Sequence, residues 1–114
     1  MAKDDYYVIV YKLLSYLYSC LKKGIPVDVD NLREVIKVDI VDAYWEYIIL
    51  ELYKDGYIDG VVVVKYIGDI YEHIRIARNL RIKPKGIDFL DSNSRFNKIR
   101  EALKEAGEVL FWLQ

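Results

Sequence analysis

The sequence is poor in the residues that build disulfides and metal sites. Its 114 residues include one cysteine, Cys20, and one histidine, His73. A single cysteine excludes an intramolecular disulfide and favours a reducing compartment, so we expect a cytoplasmic protein. A zinc site would have to consist mainly of carboxylates, which is atypical of zinc, and the sequence has no glycine-rich phosphate-binding motif. We therefore predict no cofactor, no metal and no enzymatic activity.

The sequence also lacks a long uninterrupted apolar run. Its most apolar stretch, residues 6–21, contains Lys12 and follows Asp4 and Asp5 instead of basic residues. It is also shorter than the ~20 residues that a membrane span needs. We interpret it as a buried helix and expect no membrane association.

The composition is that of one small globular domain. Hydrophobic residues make up 54% of the chain and charged residues 31%, which is not the composition of a disordered chain. A chain of this length has room for one hydrophobic core, so we predict a single domain over residues 1–114.

The first predicted helix, Asp5 to Lys22, has an unusually wide apolar arc. Two neighbouring stripes follow helical spacing: Tyr7, Val10, Leu14, Leu17 and Leu21, and Tyr6, Ile9, Leu13, Tyr16 and Cys20. Lys12, Ser15, Ser19 and Lys22 make up the remaining, polar side. Because the arc is so wide, we expect this helix to contact at least two partners.

Two more helices and a strand are predicted in the middle of the chain. Residues 30–37 form a short helix, with Asp28 or Asp30 at its start, and a third helix ends at Lys54. Asp39 or Asp42 is expected to begin that third helix. A strand opens at residues 57–58 and continues through four consecutive valines, residues 61–64, before a turn at residues 68–69.

The rest of the chain is predicted to be one further strand and two helices. The alternation around Ile74 and Ile76 favours a strand, although part of residues 70–83 also fits a helix. Pro84 suits the first position of a helix to about residue 91, and Ser92-Asn93-Ser94 supplies a cap for the last helix. That last helix has a regular apolar seam: Phe96, Ile99, Leu103, Ala106, Leu110 and Leu113.

Three helices followed by a hairpin are typical of a winged helix. We therefore predict an α+β fold with a helix-turn-helix core of three helices, a β-hairpin wing and two C-terminal helices. The helix over residues 94–113 is expected to pack either on the first helix or on the partner in a homodimer.

Three blocks of residues 42–113 resemble the YjcQ-like family, small winged-helix proteins of Gram-positive bacteria and their phages. The blocks are Leu-Tyr-Lys-Asp-Gly-Tyr-Ile-Asp-Gly-Val at 52–61, Leu-Arg-Ile-Lys-Pro-Lys-Gly-Ile-Asp-Phe-Leu at 80–90, and Asn-Ser-Arg-Phe-Asn-Lys at 93–98. Relatives often have threonine before the Pro-Lys-Gly triplet, whereas this chain has Lys83, which leaves the following helix without that cap. The resemblance implies a phage-related winged helix and no particular reaction, cofactor or ligand.

Charge is distributed unevenly along the chain. Residues 1–64 hold 7 Lys and Arg against 11 Asp and Glu, a net charge of −4, and residues 65–114 hold 10 against 7, a net charge of +3. A basic wing could bind the phosphate backbone of DNA. Six residues are predicted to make these contacts: Arg75, Arg78, Arg81, Lys83, Lys85 and Lys54.

The third helix favours the alternative hypothesis, a protein-interaction module or homodimer. Residues 39–55 contain five acidic residues and a single basic residue, Lys54. This segment has none of the arginines or asparagines that proteins use for strong readout of DNA bases. On this hypothesis the partner-binding residues are Tyr44 and Tyr47 on the third helix and Phe111 and Trp112 at the end of the last one. A homodimer would form through the first and last helices.

Overall fold

The structure is a computed structural model that describes residues 5–107. Within that range the chain forms an α+β fold in which a two-stranded antiparallel hairpin follows three helices and precedes two more. This order is compatible with a winged helix. The elements are α1 (Asp5–Lys23), α2 (Leu32–Ile36), α3 (Asp42–Lys54), β1 (Ile58–Val64), β2 (His73–Ile82), α4 (Pro84–Ser92) and α5 (Ser94–Glu105).

Helix α1 is the centre of the core. It packs against α2, β2, α4 and α5, and Val10, Leu13 and Leu14 are completely buried. The prediction of a polar side was wrong for Lys12 and Ser19, which are both buried. Other elements surround the helix, so Lys12 finds its hydrogen-bond acceptor within the protein. Its ammonium donates to the backbone oxygen of Lys37 at 3.1 Å.

Helix α2 is shorter than predicted, whereas α3 begins at Asp42, one of its two predicted first residues. Helix α2 is only five residues long, and the Asp28 carboxylate accepts the backbone N–H of Asn31 just before it. Helix α3 starts after Val41, which forms no side-chain cap, so neither Asp39 nor Asp42 caps it. Asp42 instead forms an ion pair with Arg33 of α2 at 2.8 Å, which joins the two helices.

The hairpin is irregular near its base. Val61 pairs with Ile76, but Asp59 pairs with Arg81, so β2 has three more residues than β1 between these two points. The surplus bulges out at residues 77–80, opposite Gly60. Residues 73–82 form a single strand, which confirms the strand interpretation of residues 74–77 and excludes the helical one.

Aromatic rings connect the base of the hairpin to the C-terminal helices and α1. Tyr57 stacks on Phe89 with ring centroids 4.4 Å apart, Phe89 meets the edge of Phe96 at 5.2 Å, and Phe96 lies 5.9 Å from Tyr11. At the start of α5, the Asn93 side chain accepts the backbone N–H of Arg95 at 3.0 Å. Helix α5 therefore lies along the Tyr7–Tyr11 side of α1, where the Arg95 guanidinium covers the Tyr7 ring at 4.0 Å.

Candidate interaction surface

The loop joining the two strands of the hairpin is a compact turn. The Asp69 backbone N–H donates to the Tyr66 oxygen at 3.0 Å. Gly68 has a φ of +85°, a left-handed conformation that favours glycine. The Asp69 carboxylate then accepts the Tyr71 backbone N–H at 3.2 Å. These bonds confirm the predicted turn at residues 68–69.

Four large apolar side chains project from this loop into solvent. Ile67 is fully exposed, and Tyr66, Ile70 and Tyr71 expose 63%, 78% and 67% of their surfaces. We call these four residues the apolar tip. Loops usually consist of polar and turn-forming residues, so four large exposed apolar side chains on one loop favour an interaction site. The partner-binding hypothesis did not include these residues, although the apolar composition of residues 66–71 was visible in the sequence.

The His73 ring connects the apolar tip to helix α3. The His73 ring lies between two carboxylates, with Nε2 at 2.7 Å from Asp69 in the loop and Nδ1 at 3.4 Å from Glu46 on α3. These two carboxylates raise the pKa of His73, Asp69 contributing more than Glu46. The pKa of Asp69 is lowered, first by the Tyr71 backbone N–H and then by His73.

An ion pair between Lys54 and Glu72 joins the same two elements. The Lys54 ammonium lies 2.9 Å from a carboxylate oxygen of Glu72, the residue before β2. Their contact raises the pKa of Lys54 and lowers the pKa of Glu72. Lys54, predicted as a DNA contact, is therefore placed at the base of the loop and bound to an acid.

The three arginines predicted to bind DNA are all exposed on β2, but two of them have acidic partners. Arg78 contacts Asp30 at 3.0 Å, and Arg81 contacts Asp59 at 3.4 Å. The pKa of Asp59 is lowered, first by the Gly60 backbone N–H and then by Arg81. Arg75 lies opposite Val62 and forms no ion pair with any residue in the range 5–107.

The two predicted lysines follow the hairpin. Lys83 is the residue before α4, where its side chain makes no capping hydrogen bond. Lys85 is exposed, with its ammonium 5.5 Å from the centre of the Tyr57 ring. The structure thus places the predicted basic residues along one strand and the start of the next helix, with their charge partly neutralised by neighbouring acids.

A protein-family model matches most of the chain. Residues 11–109 match the family model described as YjcQ protein. The chain belongs to the YjcQ family. The match begins within α1, so the family covers more of the chain than residues 42–113, where the resemblance lay. Neither a curated protein nor a solved structure matches this YjcQ family member.

Helix α3 presents one of the two predicted tyrosines to solvent. Tyr47 is more than half exposed, whereas Tyr44 is half-buried against the core. The Tyr47 ring lies 6.4 Å from that of Tyr6, and burial, followed by the neighbouring Tyr47, raises the pKa of Tyr6 to about 12. Phe111 and Trp112, the other two residues of the partner-binding hypothesis, lie outside the described residues.

Searches for a metal site and for a membrane span give no candidate in the described part of this YjcQ family member. Over residues 5–107, no three His, Cys, Asp or Glu side chains cluster in a way that could hold a metal ion. No helix in that range has the length and apolar character needed to cross a bilayer. Cys20 is buried, and burial raises the pKa of its thiol, which makes it less reactive.

Proposed function

We propose that this protein is a non-catalytic, cytoplasmic interaction protein of the winged-helix type that binds a protein partner through the apolar tip. The observation that carries the proposal is the exposure of Tyr66, Ile67, Ile70 and Tyr71 on one short loop. Tyrosine is enriched among the residues that dominate binding energy at protein interfaces. Burying an isoleucine side chain that was exposed contributes about 1.5–3 kcal/mol.

The anchoring of the loop supports the same proposal. Glu72 and His73, at the C-terminal end of the loop, contact Lys54 and Glu46 of α3, and His73 also contacts Asp69 within the loop. A loop that is already held in place loses less conformational entropy when a partner binds. An exposed apolar loop with no binding partner would carry an aggregation risk.

Site-specific crosslinking in cells tests this proposal. We would place a photo-crosslinking amino acid at Ile67 and, as a matched control, at Val41, which is 71% exposed and directly precedes α3. We expect a dominant protein adduct at position 67, none at position 41, and loss of the adduct when Ile70→Asp is added. A surface change of this kind should alter stability by no more than about 0.5 kcal/mol. The same adducts at both positions would overturn the proposal.

DNA binding by a phage-type regulator is the second candidate function. The observation that favours it is the row of exposed arginines on β2, Arg75, Arg78 and Arg81. Two of the three already have carboxylate partners, and those carboxylates would lie next to the phosphates of the DNA. The acidic α3 would be repelled by the same phosphates. These two facts make DNA binding the weaker candidate.

A mobility-shift assay with random-sequence duplex DNA distinguishes the two functions. If DNA is the ligand, the wild-type chain shifts the duplex at low salt. Arg75→Ala then reduces the slope of log K against log salt concentration by about one, which corresponds to one released counterion. Under the protein-partner proposal we expect no shift, and Arg75→Ala has no effect on crosslinking at position 67. A salt-sensitive complex that depends on Arg75 would make DNA binding the main function.

A further inference from the structure

The outer edge of strand β1 is unpaired in the described part of the chain. The sheet has two strands, so β1 pairs with β2 on one side only. Within residues 5–107, the backbone of residues 61–64 makes no hydrogen bond outside the hairpin. Along an antiparallel strand, residues that bond to the partner strand alternate with residues whose backbone groups point away from it. The outer edge of β1 therefore offers donors and acceptors to a further strand.

This edge lacks the features with which proteins usually protect an exposed strand. Charged side chains, proline and bulges commonly prevent edge strands from pairing with other chains. Residues 61–64 are four consecutive valines, and the first charged residue after them is Lys65. The surplus residues of the hairpin bulge belong to β2 and not to β1. Residues 61–64 can therefore accept another strand along their length.

The side chains of the same segment are incompletely covered. Val62 is 43% exposed and Val63 is 37% exposed. Successive side chains of a strand point to opposite faces, so neither face of this part of the hairpin is fully buried. Contacts between β-branched side chains on neighbouring strands stabilise a sheet, and a sheet of two strands is marginal by itself. A further strand beside β1 would cover both valines.

A second copy of the chain fits this edge for a geometric reason. Two β1 strands can pair as antiparallel neighbours only when residues whose backbone groups point outward face each other. A two-fold axis then passes through one residue, which faces its own counterpart in the other copy. With the axis at Val62, Val61 of each copy faces Val63 of the other. Three successive valines of one strand then face three valines of the second strand.

Charge selects the same register. With the axis at Val62, Lys65 of each copy lies at the level of Asp59 of the other copy. Lys65 is exposed and forms no ion pair with the residues that the structure describes. Asp59 keeps 41% of its side chain exposed despite its contact with Arg81. Moving the axis by one residue in either direction would place Lys65 opposite an uncharged residue.

We propose that the chain forms a homodimer in which two β1 strands pair through their outer edges, so that two hairpins become one four-stranded sheet. The two-fold axis passes through Val62, and a Lys65–Asp59 ion pair forms at each end of the paired segment. Because the two β1 strands are antiparallel, the two apolar tips lie at opposite ends of the shared sheet. This dimer uses a different surface from the first and last helices, and it does not depend on partner binding by the apolar tip.

Engineered cysteines test the register. Val62→Cys and Val63→Cys are a matched pair, because the two valines are similarly exposed and the native Cys20 is buried. At the proposed axis the two position-62 Cα atoms are about 4.5–5.5 Å apart, within the range of about 4.4–6.8 Å that a disulfide spans. The two position-63 Cα atoms are diagonal neighbours about 7–8 Å apart. We expect the oxidant diamide to link Val62→Cys at least tenfold faster than Val63→Cys, and equal rates would overturn the proposal.

Sedimentation equilibrium of the full chain measures the association itself. We expect a reversible dimer at high micromolar concentration. Lys65→Glu should raise the dissociation constant at least tenfold, because it brings carboxylates together at both ends of the paired segment. Lys104→Glu, at an exposed position on α5, changes the net charge equally and should alter the constant by less than twofold. Equal effects of these two variants would overturn the register. A strictly monomeric chain would overturn the proposal and favour a strand of another protein as the occupant of the edge.

Hydrogen exchange followed by NMR shows where the two copies meet. The outward-pointing amides of residues 61–64 gain a hydrogen-bond acceptor only in the proposed dimer. We expect their exchange to slow at least tenfold as the protein concentration rises into the dimeric range. The amides that bond to β2 are the internal control, because they are paired in monomer and dimer alike. A dimer without this new protection would use another surface, such as the first and last helices, and would overturn the proposal.

Discussion

At the scale of single residues, Gly60 has the strictest requirement in the hairpin. Its φ is +91°, and a β-carbon at this position would lie 2.5 Å from the Leu80 Cα and 2.6 Å from the Leu80 nitrogen. The obstruction is backbone, which cannot move aside as a flexible side chain can. Glycine is therefore what allows the bulge of β2 to lie against β1.

We predict that Gly60→Ala lowers the free energy of unfolding by about 3 kcal/mol, because backbone strain and overpacking add together. Gly68→Ala is the matched control, since its φ of +85° is equally unfavourable for alanine but no atom lies within 4 Å of the added carbon. That control should cost about 1 kcal/mol. Urea unfolding measures both. Equal losses would show that the contact with Leu80 has no effect.

His73 makes the anchoring of the apolar tip dependent on pH. Its raised pKa means that the folded chain holds the proton more tightly than the unfolded chain does. This contribution to stability is therefore fully present below the ordinary pKa of histidine, and it is lost as the pH rises through the higher value of the folded state.

We predict that NMR titration of the His73 ring gives a pKa above the ordinary 6.5. Asp69→Asn should lower this pKa more than Glu46→Gln does, because Asp69 is the closer partner, at 2.7 Å against 3.4 Å. Chemical shifts of the loop should change over the same pH interval. A wild-type pKa at or below the ordinary value would contradict the ion-pair geometry.

At the scale of elements, the starts of α4 and α5 differ in one hydrogen bond. Asn93 caps α5 by accepting the Arg95 N–H, whereas Lys83 stands before α4 without capping it. The sequence indicated this difference, because an asparagine side chain has an oxygen that can accept a backbone N–H and a lysine side chain has none. A helix whose first N–H groups lack an acceptor is less stable than a capped one.

We predict that Lys83→Thr raises the free energy of unfolding by about 0.5–1 kcal/mol and that Asn93→Ala lowers it by about 1 kcal/mol. Lys85→Thr is the control, because it introduces the same residue inside α4, where it cannot cap and only reduces helix propensity. The midpoint of urea unfolding gives the comparison. Equal effects of threonine at positions 83 and 85 would rule out capping as the cause.

Helices and strands were predicted well where the pattern is local, and less well at their ends. The apolar spacing of α1 and the β-branched residues 61–64 identify their elements from neighbouring residues alone. Helix α3 begins at Asp42, one of the two predicted starts, but Asp42 binds Arg33, a residue of another helix, and does not cap the amides of its own. Competition between elements for one carboxylate is not visible in a local pattern.

At the scale of the whole molecule, aromatic contacts make the C-terminal helices part of the main core. Phe96 is completely buried, and its ring contacts Phe89 of α4 and Tyr11 of α1. Through Tyr57 the same contacts reach the base of the hairpin. We therefore expect the described elements to unfold as one cooperative unit.

We predict that Phe96→Ala lowers the free energy of unfolding by about 4 kcal/mol, because it leaves a cavity where three helices meet. Phe89→Ala, at a partly buried position of the same contact chain, should cost clearly less. Circular dichroism and tryptophan fluorescence should report one coincident urea transition in each variant. Two separate transitions would mean that α4 and α5 form an independent unit.

The candidate site was predicted only in part, because its charges pair with residues that are distant in the chain. Arg75, Arg78 and Arg81 are exposed on one strand, but the ion pair of Arg78 with Asp30 joins residues 48 positions apart. No local pattern indicates that such a charge is neutralised. The apolar tip is the reverse case, since its composition is evident in the sequence but its exposure depends on how the hairpin stands on α3.

The sequence by itself determined the α+β class, the order of the elements and the apolar faces, because these follow from backbone sterics and from the period of neighbouring side chains. Tertiary structure alone decided that Lys12 and Ser19 are buried, which charges of the hairpin are paired, and that the outer edge of β1 is unpaired in the described chain. Burial and pairing depend on residues that are distant in the chain and adjacent in space. The surfaces on which both proposals rest are therefore properties of the folded molecule.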